Sequence, residues 1–341
     1  MSNKSEIIKV ACAGAGYFSA FHYDSWRRMN GVEIVGAYSL TKDAAEKTGY
    51  PAYVDLTTML NETKPDVLDI ITPPPSHLEL IKLAIEQDIK TIICQKPFCN
   101  NMHEAEQAVE LAKASRTNLI IHENFRFQPW YRKMKQVMDE GLLGDVHQIT
   151  FRLRTGDGQG PNAYLDRQPY FQTMSRFLIH ETAVHWLDTF RFLLGNPTAI
   201  YADLRKMNPA IAGEDVGYVI LDFAGGKRAI FDGNRHLDHA SDNTRVTFGE
   251  ALVEGTKGTL ELSGDGSLSL RSFGEKSKTP ILEAKTYAGF AGDCVHALNC
   301  HVIDGLLNGI GFENTAEEYI RVLELESAVY QSAESNCKIE V

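Results

Sequence analysis

The sequence predicts an α/β protein in two parts. An N-terminal doubly wound parallel sheet is followed by a C-terminal α+β domain with a large open, mostly antiparallel sheet. Three observations carry this expectation. Apolar runs of strand length alternate with helical segments through about residue 125, the rhythm of parallel strands joined by crossover helices. A Gly-rich turn closes the first run. Beyond residue 146 the runs alternate polar and apolar residues and are joined by turns such as Ala224-Gly225-Gly226 and Gly264-Asp265-Gly266, as in a sheet covered on one face. The expected boundary separates 1–125 from 126–341, with the C-terminal helices packing back on the first domain.

The first strand and its turn lie in 7-IIKVACAGAGYFSAFHYDSW-26. Gly14, Gly16 and Ser19 match Gly-x-Gly-x-x-Gly with a small residue in the third place, around Tyr17 and Phe18. Gly14 serves the tight turn, and Gly16 lets backbone N–H groups approach a pyrophosphate at the following helix N-terminus. An ordinary strand–turn–helix would read the same on this motif alone. The second run, 32-VEIVGAYS-39, ends about twenty residues later, but without the acidic residue that would accept a ribose 2′-OH. Ser39, Thr41 and Lys42 stand there instead, which favours NADP over NAD; a solvated Lys42 at a helix start is the plainer alternative.

The run 66-DVLDIIT-72 stops at Thr72 and Pro73-Pro74-Pro75. Ser76 with Glu79 is expected to cap the helix 77–87, which opens with His77. The strand 90–98 ends in Gln95-Lys96-Pro97, the helix 102–115 follows, and the strand 119–125 carries Asn124 just before Arg126. The ends of such strands are where a parallel sheet receives its ligand. In the second part, strands are expected at 146–156, 198–207, 216–226, 227–234, 244–255 and 258–264. Helices are expected at 130–141, 181–195, 292–309 and 315–334.

Composition narrows the function. The chain has 341 residues, 43% hydrophobic and 23% charged, with a net charge of −11. That charge argues against nonspecific nucleic-acid binding and anionic membranes. No apolar run is long enough to span a bilayer, and the start lacks a signal-peptide core. The six cysteines form no Cys-x-x-Cys pair and read as reduced thiols of a cytoplasmic enzyme. An open sheet face is expected to be covered by a homodimer or homotetramer contact.

The segment 179-IHETAVHWLD-188 poses a choice between a metal site and acid–base chemistry. On an α-helix, residues four apart share a face and residues five apart diverge. Glu181 and His185 then act together, whereas His180 and His185 do not make the histidine pair a zinc hydrolase needs, so no metal is expected. Imidazole changes charge near neutral pH and suits a base that takes a carbinol proton as hydride leaves. His185 is the candidate base, with Glu181 orienting it or binding an adjacent hydroxyl. The blander readings are a core histidine beside Trp186 and a glutamate favoured by a helix N-terminus. Lys96 is the candidate for steadying alkoxide charge. Arg126, Arg152, Arg154, Arg176, Tyr164 and Tyr170 are candidate cleft residues, since guanidinium forks suit carboxylates and dense hydroxyls, although at least two of the arginines are expected to be structural.

GAGYFS, TPPPSH, QKP and ETAVH, in this order, resemble the Gfo/Idh/MocA oxidoreductase family over nearly the whole chain. FHYDSW and FENTAEEYIRVLELESAVYQSAE are similar to its D-apiose dehydrogenase branch. The resemblance implies a Rossmann domain, a tightly held NAD or NADP, and oxidation of a carbinol of a sugar, polyol or sugar acid. It implies cofactor contacts from Gly14, Gly16, Tyr17, Phe18, Ser39, Thr41, Lys42, Thr72, Pro73, Pro74, His77, Gln95, Lys96, Pro97 and Asn124. Substrate contacts are expected from Lys96, Arg126, Arg154, Tyr164, Arg176, Glu181 and His185, the arginines and Tyr164 on residue type and position alone. Two departures stand out: Gln95 replaces the usual Glu of Glu-Lys-Pro, and Glu181 a more usual Asp. Two alternatives remain open, a retained dinucleotide driving isomerisation or elimination, and a nucleotide sensor without catalysis.

Overall fold

A computed structural model describes residues 7–341. The chain divides into two compact units, Met1–Asn124 with Val295–Arg321, and Phe125–Cys294 with Val322–Val341.

The first unit is built on β1 (Ile8–Ala13), β2 (Val32–Tyr38), β3 (Ala52–Tyr53), β4 (Val67–Ile70), β5 (Thr91–Gln95) and β6 (Asn118–His122). They form one sheet in the order β3-β2-β1-β4-β5-β6, with every neighbouring pair parallel. Helices α1 (Ser19–Arg27), α2 (Lys42–Glu46), α3 (Leu56–Thr63), α4 (His77–Glu86) and α5 (Met102–Ser115) connect them. Every residue of β4 and β5 is buried, as parallel strands covered on both faces must be. The strand order reverses between β1 and β4, so their carboxyl ends open a crevice at the switch point.

One strand was not anticipated, and one local expectation needs correction. β3 is only two residues long, too short to carry a period-two signal. Ser76 caps nothing: its backbone is helical (φ −101°, ψ −9°), whereas a side-chain cap needs extended backbone. Its hydroxyl turns back to Thr72 Oγ1 at 2.7 Å and to the Pro73 carbonyl at 2.9 Å, so it braces the loop after β4.

The second unit carries β7 (Val146–Leu153), β8 (Pro197–Arg205), β9 (Val216–Phe223), β10 (Arg228–Asn234), β11 (Gly249–Gly255), β12 (Gly258–Leu262), β13 (Leu268–Ser272), β14 (Thr279–Leu282) and β15 (Ile339–Glu340). The order is β14-β13-β12-β11-β7-β10-β9-β8-β15. Only β7 and β10 run parallel; the other neighbours are antiparallel. Buried and less buried positions alternate along β9 to β12, which is the one-sided covering their sequences predict.

The strand expected from Thr244 starts only at Gly249, because the Phe248 N–H closes a turn onto the Thr244 carbonyl at 3.1 Å and Phe248 has φ +62°. β13, β14 and β15 were not anticipated. β14 contains Pro280 and lies at a sheet edge, where a missing N–H is tolerated. Helices α6 (Pro129–Asp139) and α7 (Val184–Leu194) belong to this unit, and α8 (Phe290–Asn308) and α9 (Ala316–Ser335) close the chain.

Candidate active site

The turn after β1 has the shape of a phosphate cradle. Gly14 sits at φ +133°, and a Cβ on it would lie 2.9 Å from the Ile71 carbonyl carbon. No side chain fits, so the turn presses directly on the end of β4. A Cβ on Gly16 would meet nothing within 4 Å, which leaves open space above an exposed backbone. Ser19 donates its hydroxyl to the Gly16 carbonyl at 2.6 Å. Phe18 is the N-cap of α1 and supplies no side-chain cap; the Ser19 and Phe21 amides bond the Gly16 and Phe18 carbonyls at 3.2 Å each. Tyr17 is exposed beside them.

At the end of β2, Thr41 caps α2 through the Ala44 N–H, and Lys42 forms an i,i+4 surface pair with Glu46 at 3.6 Å. Ser39 is half-buried, whereas Thr41 and Lys42 are exposed. Thr72, Pro73 and Pro74 form the exposed-to-half-buried rim after β4.

His77 does not reach that rim as a ligand. It is fully buried; its Nε2 lies 2.7 Å from the Thr72 carbonyl, and its Nδ1 accepts the Cys99 N–H at 3.4 Å. The ring thus ties the loop after β4 to the loop after β5. Burial pushes its pKa down to about 4, against a smaller upward pull from the Thr72 carbonyl.

Lys96 follows β5, half-buried, with its backbone N–H donating to Gln95 Oε1 at 2.7 Å; Pro97 continues the loop through a cis bond. Asn124, just past β6, is 2% exposed, and its buried Nδ2 donor has no hydrogen-bond partner. A buried donor left unmatched at a strand's carboxyl end is what a polar ligand atom would satisfy.

In the second unit the expected α-helix from Glu181 begins differently. Leu178–Ala183 is a π-helix that runs into α7. Its hydrogen bonds close from i to i+5, so each of its turns is wider than that of an α-helix. The angular separation drawn for His180 and His185 from α-helical geometry therefore does not hold. Their partners distinguish them instead. His180 Nδ1 lies 2.7 Å from Glu326 Oε1, whereas the His185 ring stacks on Phe125 at 3.8 Å and 5° and is 7% exposed. Among the described residues, no group of three or more His, Cys, Asp or Glu side chains could hold a metal ion.

Glu181 is half-buried and close enough to act electrostatically on Tyr170 and Arg235. Burial first, then the Glu181 charge, lifts the Tyr170 phenol to about 12. The π-helix is pinned from both sides. Glu214 Oε1 accepts the Phe177 and Ile179 N–H groups at 3.1 Å each and the Tyr330 hydroxyl at 2.7 Å. Arg235 donates to the Thr182 hydroxyl, and its guanidinium lies over Phe177 at 4.5 Å.

The arginines and tyrosines take separate places. Arg126 makes a two-pronged pair with Asp188, at 2.8 and 2.6 Å. Arg154 is turned into the sheet, bonding the Leu153 and Asp232 carbonyls and the Asp232 carboxylate. Tyr164 packs with Phe171 and Phe177 in a buried cluster and donates to Asp157 at 3.2 Å. Arg176 is exposed and lies over Tyr330 at 4.2 Å, while Arg152 pairs at the surface with Glu250. The structure thus groups Tyr170 with Glu181, on a π-helix that leads into the helix of His185. It gives Arg126, Arg154 and Tyr164 partners within their own unit.

Four contributors lay outside the sequence reading: Glu214, Arg235, His22 and Asp69. Glu214 and Arg235 lie tens of residues from the helix they hold, with no local signal. Asp69 did have one, being a charge inside an apolar parallel strand, which requires a buried partner.

Comparison with known proteins agrees with this fold. Residues 8–123 match a model described as an oxidoreductase family with an NAD-binding Rossmann fold. Residues 131–261 match the GFO/IDH/MocA C-terminal domain. The chain is 30% identical to a D-apiose dehydrogenase of Paraburkholderia graminis, over 98% of this chain and 90% of that one. It is 26% identical to a D-apiose dehydrogenase of Rhizobium rhizogenes, over 98% and 97%. A solved oxidoreductase from Agrobacterium radiobacter, in complex with NAD+, L-tartaric acid and magnesium, superposes with a TM-score of 0.88 at 25% identity, covering 98% of each chain.

Two outcomes follow from the polar contacts. Replacing Arg126 with Met removes the two-pronged guanidinium contact of the fully buried Asp188 carboxylate and is expected to cost about 3–5 kcal/mol in denaturant unfolding; Asp188→Leu in the same chain should return part of it. His77 contributes a pH dependence. Its folded pKa of about 4 lies below the ordinary 6.5, so the unfolded chain binds the extra proton and stability drops as pH falls from 6.5 to 4. Relative to His77→Gln, the native chain should lose about 3 kcal/mol across that window, and parallel curves would refute it.

Proposed function

Because this chain belongs to the GFO/IDH/MocA oxidoreductase family, as an NAD(P)-dependent dehydrogenase acting on CH–OH groups, we propose that Lys96 and His185 perform the proton and charge chemistry at one sugar carbinol. The observation that carries this reading is the placement of each group. Lys96 stands in the loop after β5, at the ligand end of a parallel sheet. His185 is held rigidly by a stacked phenylalanine on a helix whose start is a pinned π-turn, a feature common at functional sites.

The dinucleotide, when bound, supplies the acceptor for the hydride. Gly14 and Gly16 would hold its pyrophosphate, with Tyr17 and Phe18 beside it. Thr72, Pro73 and Pro74 form a wall of its site, which His77 braces from beneath. Gln95, Pro97 and the buried Asn124 amide complete the side toward the reacting ring. The fit is supported by the open space over Gly16 and the unmatched Asn124 donor.

The Lys96 ammonium holds the substrate hydroxyl and steadies alkoxide charge as it develops. His185 accepts the hydroxyl proton and returns it when the reaction runs toward reduction. Glu181 binds a neighbouring hydroxyl, and Tyr170 is well placed beside it to do the same. Arg176 is the exposed guanidinium that extends this surface; Arg126, Arg154 and Tyr164 shape it from their packed positions. The substrate is a small carbohydrate, and similarity to two D-apiose dehydrogenases makes D-apiose the first sugar to test. We assign the chain to the cytoplasm and its open sheet face to a homodimer or homotetramer contact.

The absence of a carboxylate after β2, with Ser39, Thr41 and Lys42 in its place, supports NADP over NAD. Calorimetric titration should give a lower Kd for NADP than for NAD, and Lys42→Glu should reverse the order; tighter NAD binding by the unaltered chain would reject the preference. Mixed with D-apiose and other pentoses, the enzyme should form reduced nicotinamide in step with oxidised sugar. His185→Ala and Lys96→Ala should each lower kcat by about 100-fold or more with dinucleotide Kd unchanged. Turnover near that of the unaltered chain in either variant removes that residue from the mechanism.

A further inference from the structure

Beside β4 and β5 lies a row of polar groups that the proposed chemistry leaves unused. Asp69, in the middle of β4, is fully buried. Its Oδ2 accepts the Trp26 indole N–H at 2.7 Å and lies 2.8 Å from His22 Nδ1. His22 is also fully buried, and its Nε2 lies 3.0 Å from Gln95 Nε2. Gln95 Oε1 in turn receives the Lys96 N–H at 2.7 Å. The row runs from a buried carboxylate to the peptide of the residue that faces substrate.

One proton arrangement satisfies every contact along the row, leaving only Asp69 Oδ1 unmatched. A backbone N–H can only donate, so the Gln95 atom facing Lys96 is its oxygen. The Gln95 NH2 therefore faces His22, and because an NH2 also only donates, His22 Nε2 must be the acceptor. The single ring proton then sits on Nδ1 and is donated to Asp69. A proton on Nε2 would set two donors 3.0 Å apart between buried side chains, a pairing that costs rather than contributes. The face of the ring is covered by a second imidazole, His122, at 4.1 Å and 39°. His122 Nε2 lies 3.2 Å from Asn299 Oδ1.

We infer that His22 is a positioning residue for Lys96: fixed as the neutral Nδ1–H tautomer between Asp69 and Gln95, it orients the Gln95 amide, which holds the Lys96 peptide. The inference rests on the catalytic role given to Lys96. Glutamine at 95 is what selects this state. A glutamate there would present acceptors to both Lys96 N–H and His22 Nε2, and would draw a second proton onto the ring. The substitution of Gln for Glu changes the protonation state of a buried imidazole while keeping the contact to Lys96.

Side-chain nitrogen NMR of the full-length, histidine-labelled protein tests the tautomer without using activity. The His22 resonances are identified by their loss in His22→Gln or His22→Asn. They should show a protonated Nδ1 and an unprotonated Nε2, and Gln95→Glu should move them to the doubly protonated pattern. A protonated Nε2 in the unaltered chain, or no response to Gln95→Glu, overturns the inference. The kinetic arm uses two variants. His22→Gln places an oxygen near the former Nε2 and keeps an acceptor for Gln95. His22→Asn keeps a donor to Asp69 but leaves the Gln95 amide unmatched. Positioning predicts that His22→Asn lowers kcat about tenfold, as a small displacement of a reacting group does, and that His22→Gln restores most of it. Equal losses that follow melting temperature, or the reverse order, mean a structural role only. If Lys96→Ala retains turnover, the catalytic assignment fails while the NMR result still decides the tautomer.

Discussion

The seating of α1 in the first unit depends on one buried carboxyl side chain. Asp69 sits on a strand whose every neighbour is apolar, and a carboxylate removed from water is tolerated only when hydrogen-bonded. The requirement brings α1 against the sheet in one register, since Trp26 and His22, four residues apart on that helix, must both reach the same oxygen. Once α1 is fixed, so is the turn that precedes it. Gly14 then meets the Ile71–Thr72 backbone at a separation no side chain would allow. The phosphate cradle is thus a consequence of core satisfaction as well as of glycine content.

The second unit solves a similar problem with different groups. The π-helix at Leu178–Ala183 needs partners for the amides at its start, which no helix pairs internally. Glu214 supplies one carboxylate to two of them, and Tyr330 holds that carboxylate from the far end of the chain. Arg235, buried among three aromatic rings, fixes Thr182. Asp157 balances it: burial opposes the charge on Asp157 and is the largest influence, but the Arg235 guanidinium, the Thr155 hydroxyl and Arg167 together outweigh it and keep the carboxyl below the usual range. The helix carrying His185 therefore starts from a backbone held by side chains remote in sequence.

Most of the fold was legible in the sequence because parallel strands and crossover helices leave a coarse, repeated hydrophobic rhythm. β3 and β15 escaped because two residues cannot show a period. β14 escaped because an edge strand admits a proline that argues against strand. The glycine turn, the strand ends and the paired letters of ETAVH could be found because each is local. The π-helix could not, since its sequence obeys α-helical spacing as well as it obeys any other. His77 and His22 were hidden for a different reason. Each occupies a position on a helix that looks amphipathic, and only packing reveals that the imidazole bridges two loops or completes a polar row. Arg126, Arg154 and Tyr164 illustrate the converse: residue type alone marked them for substrate, yet ion pairing and aromatic packing engage them first.

A crystal structure with dinucleotide and an oxidisable sugar, or its unreactive analogue, bears most directly on the central claim. It should place Lys96 Nζ and one imidazole nitrogen of His185 each within about 3 Å of the same carbinol oxygen. A sugar whose reacting hydroxyl touches neither group, or is served by another base while His185 keeps only its stack on Phe125, would contradict it.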